Sequence, residues 1–196
     1  MLRFPFSRTL KLAVASLALA SQAVFAAPVD FSGALTDSDP TFNRPLALDF
    51  LSTVGTAVSY DVFGFHVTAD GVYSIRTTAA AFSTGLSEDT YLALYANAFD
   101  ASAPLTNLVN VNDDASISSF LSNITQSLQA DTQYFLVMTS YLNDAFGSYA
   151  GVFDTVTGPG QVVLDNAASD VPEPATLALL PLAMLGMTLA RRRQRR

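Results

Sequence analysis

Two acidic stretches hold most of the side chains in this chain that could do chemistry. Glu88 and Asp89 form one, and Asn112, Asp113 and Asp114 form the other. Carboxylates mixed with an amide and backbone carbonyls are the oxygen donors that Ca²⁺ gathers. An Asn-Asp-Asp run is also ordinary turn chemistry, because these side chains satisfy local backbone donors. Paired acids can serve a glycoside hydrolase, but both pairs sit in polar stretches without the apolar neighbourhood that raises one acid above the other. The rest of the catalytic inventory is thin. There is one His, no Cys, and a single Lys at position 11. No Gly-x-Ser-x-Gly elbow occurs, and one His without Cys cannot close a zinc site. His66 alternates with Phe65 and Val67 and reads as a solvated strand histidine. The expectation is a protein without enzymatic activity, with Glu88, Asp89, Asn112, Asp113 and Asp114 as a candidate calcium site.

Strands must position these loops. The segment around them is rich in Val, Thr, Tyr and Phe and is divided by Gly, Asn and Asp at short intervals. Phe63, Phe65 and Val67 share one face, Asp70-Gly71 reads as a hairpin turn, and Tyr73 and Ile75 fall inward on the return. Tyr91 to Tyr95 reads as a strand with Leu92 and Leu94 on one face. Gln133 to Tyr141 reads as a longer central strand buried on both sides. Before it, Leu128 to Tyr134 has the form of a tyrosine corner, in which the Tyr134 hydroxyl reaches back to upstream backbone. The Phe120, Ile124, Leu128 spacing fits strand or helix, with the intervening Ser, Asn and Thr favouring strand. Gly147 to Leu164 reads as a final pair of strands joined through Gly158-Pro159-Gly160. The region from Pro28 to Ser52 adds one or two more. Short strands without helical blocks predict an all-β, antiparallel two-layer sandwich of jelly-roll or immunoglobulin-like type. With no cysteine, the core alone must hold it.

The two ends of the chain are of different composition. Arg3, Arg8 and Lys11 precede an apolar stretch from Leu12 to Ala20 and then Val24-Phe25-Ala26. This is the pattern of a secretory signal peptide, with cleavage expected after Ala26 and passage through the Sec translocon. At the other end, Val171-Pro172-Glu173-Pro174 is followed by an apolar run from Ala175 to Ala190 and then by Arg191, Arg192, Arg193, Gln194, Arg195 and Arg196. Those 16 apolar residues make about 24 Å of helix. Snorkelling arginines and local thinning bring that to the bilayer core of roughly 30 Å. The basic tail stays cytoplasmic, which leaves Pro172-Glu173-Pro174 outside. Two prolines keep that stretch extended and open to an enzyme.

This tripartite tail resembles the PEP-CTERM sorting signal of Gram-negative bacteria. The resemblance implies processing by an exosortase, with Val171 to Pro174 and Arg191 to Arg193 as the sorting residues and the membrane as a transient anchor. The chain then divides into a signal peptide (1–26), an exported sandwich (27–170) and a sorting segment (171–196). Only Arg44 and Arg76 are basic between Ala27 and Pro174, against all 17 acids, a net of minus 15. Such a surface repels nucleic acid. It can attract divalent cations, basic proteins, or neutral polymer.

Tyr60 to Phe65, Asp89 to Tyr95, Asn112-Asp113-Asp114 and Tyr134 to Tyr141 together resemble the bacterial pre-peptidase C-terminal domain, a jelly-roll-like sandwich. The sorting resemblance implies a setting in the envelope, extracellular matrix or exopolysaccharide. A structural or adhesive role is the leading expectation. A carbohydrate-binding module is the alternative, and it requires exposed aromatics such as Tyr91 and Tyr95 on the face away from Leu92 and Leu94. A secreted hydrolase is the third.

Overall fold

A computed structural model describes residues 26–165. The sorting residues Val171 to Pro174 and Arg191 to Arg193, the signal peptide before Ala26 and the helix expected over Ala175 to Ala190 lie outside the described residues. Twelve strands occur within them: β1 Val29–Leu35, β2 Thr41–Phe42, β3 Pro45–Ala47, β4 Phe50–Leu51, β5 Val58–Val67, β6 Gly71–Phe82, β7 Thr90–Ala96, β8 Leu108–Asn112, β9 Asn123–Leu128, β10 Tyr134–Ser140, β11 Gly147–Thr157 and β12 Val162–Leu164. All pair antiparallel. One sheet has the order β1-β11-β6-β9 and the other β12-β5-β10-β7-β8, with β2 also on β5; β3 and β4 form a separate hairpin. The expected all-β antiparallel sandwich is the fold.

Alternation builds the core between the sheets. Phe65 and Val67 of β5, Tyr73 and Ile75 of β6, Leu92 and Leu94 of β7, and Leu136 and Met138 of β10 all bury there. The continuous apolar stretch of β10 has a second cause. Its outward Val137 joins Phe42, Val58, Ala93 and Tyr95 in a smaller cluster on the outer face of the larger sheet. Phe99, from the connection 97–107, closes that cluster edge-on against Phe42 and Tyr60. The central strand is therefore buried on both sides, as its sequence predicts. The tyrosine corner is present too: the Gln129 N–H donates to the Tyr134 hydroxyl at 2.9 Å. Among the described residues, every strand and both clusters lie between Val29 and Leu164.

Several local readings need correction. Asp70-Gly71 does not make a hairpin, because β5 and β6 lie in different sheets and the short link arches across the core. The final two strands, β11 and β12, are joined through Gly158-Pro159-Gly160 as expected, and they lie in different sheets: β11 pairs with β1 and β6, and β12 with β5. Phe120 lies outside β9 and is exposed, while Ile124 and Leu128 are buried strand positions. The region before Ser52 forms four strands rather than one or two.

Register separates the sandwich into two ends. Leu35 pairs with Gly147 and Gly147 with Phe82, which puts the excursion 36–57 beside the connections 83–89 and 141–146. The connection 113–122 joins them, since Asn112 pairs with Leu92 and Asn123 with Arg76. We call this the loop end. The opposite, turn end holds the connections 68–70, 97–107, 129–133 and 158–161.

Candidate functional site

The two acidic stretches of the sequence meet at the loop end. Asp89 immediately precedes β7, whose first residue Thr90 is fully buried in a hydroxyl knot with Thr77 (2.8 Å) and Ser122 (2.9 Å). Ser122 Oγ lies 2.7 Å from the carbonyl oxygen of Asp113, which ties the second acidic loop to the root of the first. Asn112 braces that loop: its Oδ1 accepts from the Asn123 N–H at 2.7 Å and its Nδ2 donates to the Asp114 carbonyl at 3.3 Å. As a result, one carboxylate oxygen each from Asp89, Asp113 and Asp114 lie within 4.8 Å of one another. Of the five residues predicted from sequence, these three converge. Glu88 is exposed and stands outside the group, and the Asn112 amide is committed to the loop.

Burial makes the group electrostatically uncomfortable. Asp89 is pushed up from its ordinary 3.8 to about 6 by desolvation and then by Asp114, with Arg44 opposing. Asp113 is raised to about 6 for the same leading causes, with a further contribution from Asp89. Asp113 Oδ1 is also buried without a hydrogen-bond partner. Half-buried carboxylates in contact, one with an orphaned oxygen, are groups that a divalent cation satisfies. Ca²⁺ fits them, since it takes carboxylates in one- or two-oxygen mode and completes its shell with carbonyls and water.

Beneath the cluster lies a residue that sequence reading passed over. Arg44 is fully buried, with its guanidinium 4.0 Å from the Tyr91 ring centroid and 4.5 Å from that of Tyr141. Its Nε donates to the Tyr141 carbonyl at 3.1 Å, and its Nη2 has no partner. A Cβ on Gly55 would stand 2.4 Å from Arg44 Nε, so only glycine lets the strap close over it. Among the described residues, the ion pairs within 4.0 Å are His66–Asp165 and Arg76–Asp154. Arg44 therefore acts on Asp89 and Asp113 through space, opposing the rise in both. The signal in the sequence is its isolation, as one of two basic residues in the exported segment.

Tyr91 and Tyr95 occupy the outer face of β7, opposite Leu92 and Leu94, as alternation requires. That face is not open. The excursion 36–57 covers Tyr91, whose hydroxyl donates to the Leu46 carbonyl at 3.4 Å, and the connection 97–107 covers Tyr95, which donates to Pro104 at 2.8 Å. Both rings are buried and offer no flat platform to a sugar. His66 is on the surface and contacts Asp165 at 2.8 Å, in keeping with a solvated strand histidine.

Comparison with known proteins bears mostly on the tail. Two solved structures resemble the sandwich in outline. One is a CBM35 from Cellvibrio japonicus Abf62, at 12% identity and a TM-score of 0.32, covering 69% of this chain and 99% of that one. The other is a family 35 carbohydrate binding module from an environmental isolate, at 12% identity and a TM-score of 0.33, covering 72% and 92%. Likeness at this level says nothing about a ligand. No curated protein matches the chain. Residues 170–196 match the PEP-CTERM protein-sorting motif, which does not extend into the sandwich. The chain is thus an exported protein that carries an exosortase sorting signal and is held transiently in the membrane by its C-terminus.

Proposed function

We propose that the exported sandwich is a non-enzymatic structural or adhesive component of the cell envelope or extracellular matrix, whose loop end is organised by calcium. The observation that carries this reading is the convergence of Asp89, Asp113 and Asp114, with the orphaned Asp113 Oδ1 among them. An exported domain meets calcium at concentrations suited to modest-affinity sites. The surface charge of minus 15 favours a divalent cation over any polyanionic partner. The single histidine is engaged on the surface with Asp165, far along β5 from the acidic group, which supports a binding rather than a catalytic role. The carbohydrate-binding alternative has lost its Tyr91 and Tyr95 platform and would need other contacts, such as exposed hydroxyls and amides.

The test is thermal unfolding of residues 27–170 in calcium, with magnesium and sodium at matched ionic strength as controls for general screening. A calcium-specific rise in melting temperature is expected, and Asp113→Asn with Asp114→Asn should abolish it while the fold persists. Equal melting temperatures in calcium and magnesium would reduce the loops to turns and the charge to a solubilising coat.

A further inference from the structure

The two lateral sides of the sandwich are closed differently. Where β8 stands beside β9, side-chain amides bridge the sheets: Asn110 Nδ2 donates to Gln126 Oε1 at 3.1 Å, and the Asn123 N–H donates to Asn112 Oδ1 at 2.7 Å. The side where β1 stands beside β5 is open. Among the described residues β1 pairs with β11 alone. One edge of β5 is taken by β10; the other carries β12 over 65–67 and β2 over 58–59, which leaves positions 61–63 without a strand. On that edge the Tyr60 N–H donates to the Pro40 carbonyl at 3.2 Å and the Gly64 carbonyl accepts from the Asp165 N–H at 2.9 Å. By alternation the N–H and C=O of Val62, midway between them, point into the same gap. Between the two open edges lies a cleft of about 370 Å³, whose lining includes Phe31 of β1, Val62 and Phe63 of β5, and Leu164 of β12.

We propose that this cleft seats the sorting linker: residues 166–168 continue β12 along β5, fill the gap up to β2, and seal the open side of the sandwich. These three lie outside the described residues, and what selects them is where the described chain stops. β12 runs antiparallel to β5 with Leu164 opposite Phe65, and the next residue, Asp165, already bonds to Gly64. His66, at 2.8 Å, and Gln133 hold the Asp165 carboxylate in that register from the outer face. The same register puts Asn166 opposite Phe63, Ala167 opposite Val62 and Ala168 opposite Asp61, so three residues meet three unpaired positions.

Side-chain types agree with the register. Leu164 and Phe63 pack on the core, so positions 166 and 168 face inward and 167 outward. Asn166 brings a donor and an acceptor to the unpaired backbone of β1, the groups that an edge strand leaves open. Space is short at 168, because the Tyr149 hydroxyl donates to Asp61 there at 2.5 Å and already excludes a Cβ from Gly33. Alanine suits such a position. Docking also sets a distance: it shortens the free linker before the anchoring segment from nine residues, 166–174, to six, 169–174, which is about 20 Å at full stretch. Exosortase then meets Pro172-Glu173-Pro174 with only 169–171 between that stretch and a folded edge. The same strand keeps the edge of β5 from pairing with another chain.

The experiment uses the full chain, purified uncleaved in detergent micelles from a host without exosortase. It has no cysteine, so an introduced pair reports alone. Val62→Cys/Ala167→Cys, directly opposite in the continued register, should close an intramolecular disulfide under mild oxidation. Val62→Cys/Ala168→Cys, one residue along and on the other face, should keep its thiols about tenfold more reactive to maleimide. Val62 is exposed, so both pairs leave the core intact. Amide exchange reads the same contact without cysteine. The amides of 166–168 should exchange at least about tenfold more slowly than in a free chain, and Ala167→Pro, which removes the N–H that meets Val62, should return them and Val62 to fast exchange. Equal oxidation of the two cysteine pairs overturns the seat, as does free-chain exchange at 166–168 or protection of Val62 that Ala167→Pro leaves unchanged. Disulfides formed only between chains overturn it too, and put a second copy's linker in the cleft instead.

Discussion

The two ends of the sandwich use their polar groups differently. At the turn end they close on one another: Tyr134 accepts from Gln129, Tyr73 donates to the Ala69 carbonyl at 2.7 Å, the Ala130 N–H donates to Asp70 at 2.8 Å, and Gln161 donates to Thr68 at 2.9 Å. At the loop end groups are left over. Among the described residues, the three buried side-chain atoms without partners, on Asn43, Arg44 and Asp113, belong to it, as do the two carboxylates pushed up to about 6. Buried polar atoms without partners and displaced acids cost stability. A fold tolerates them where a ligand meets them, which is why the turn end reads as architecture and the loop end as the working face.

The contrast predicts that the most damaging substitution at the loop end is of the buried cation. Arg44→Ala removes two guanidinium–ring contacts and a hydrogen bond to Tyr141, empties a packed site, and takes the one positive charge away from Asp89 and Asp113. A loss of about 3–5 kcal/mol in urea unfolding is expected. A loss below about 1 kcal/mol would show that the strap 43–55 is held by something else. At the turn end, Tyr134→Phe removes one acceptor from the Gln129 N–H and should cost about 1–2 kcal/mol. An unchanged melting curve would take the corner out of the account of that end.

Local periodicity made the strands legible, and non-local packing decided the rest. Phe65, Val67, Tyr73, Ile75, Leu92 and Leu94 turn inward as alternation predicts, and Tyr134 makes its corner, because those patterns are fixed within a few residues. Asp70-Gly71 has the composition of a hairpin turn, yet neither residue adopts the positive φ that such a turn needs. Gly71 is required for space, since a Cβ there would meet the Thr157 carbonyl at 2.5 Å. Turn residues announce a reversal and not the sheet in which the next strand pairs. The outward direction of Tyr91 and Tyr95 was readable; their burial was not, because it depends on the distant excursion 36–57. The acidic residues could be found by type, while their convergence depends on the Thr77, Thr90 and Ser122 knot, which joins three separated segments.

The smallest expected effect comes from protons, because Asp89 and Asp113 are only half-buried and solvent screens them. Their folded pKa values stand at about 6, against an ordinary 3.8. Between those limits the folded chain keeps protons that the unfolded chain releases, so stability falls as pH rises through that window and is flat on either side. Calcium competes with the same protons. In its presence the fall should shrink or reverse, since each carboxylate that ionises becomes a ligand. Other carboxylates titrate in the same range, so the informative quantity is a difference: melting temperatures from pH 4 to 7 for the parent domain minus those of Asp89→Asn/Asp113→Asn, with and without calcium. The parent should be the more stable near pH 4 relative to pH 6.5 without calcium, and the sign of the difference should turn over with it. Parallel curves in both conditions would mean that these two carboxylates are no more burdened than those of the turn end, and the contrast between the ends would then rest on the unpartnered atoms of Asn43 and Arg44.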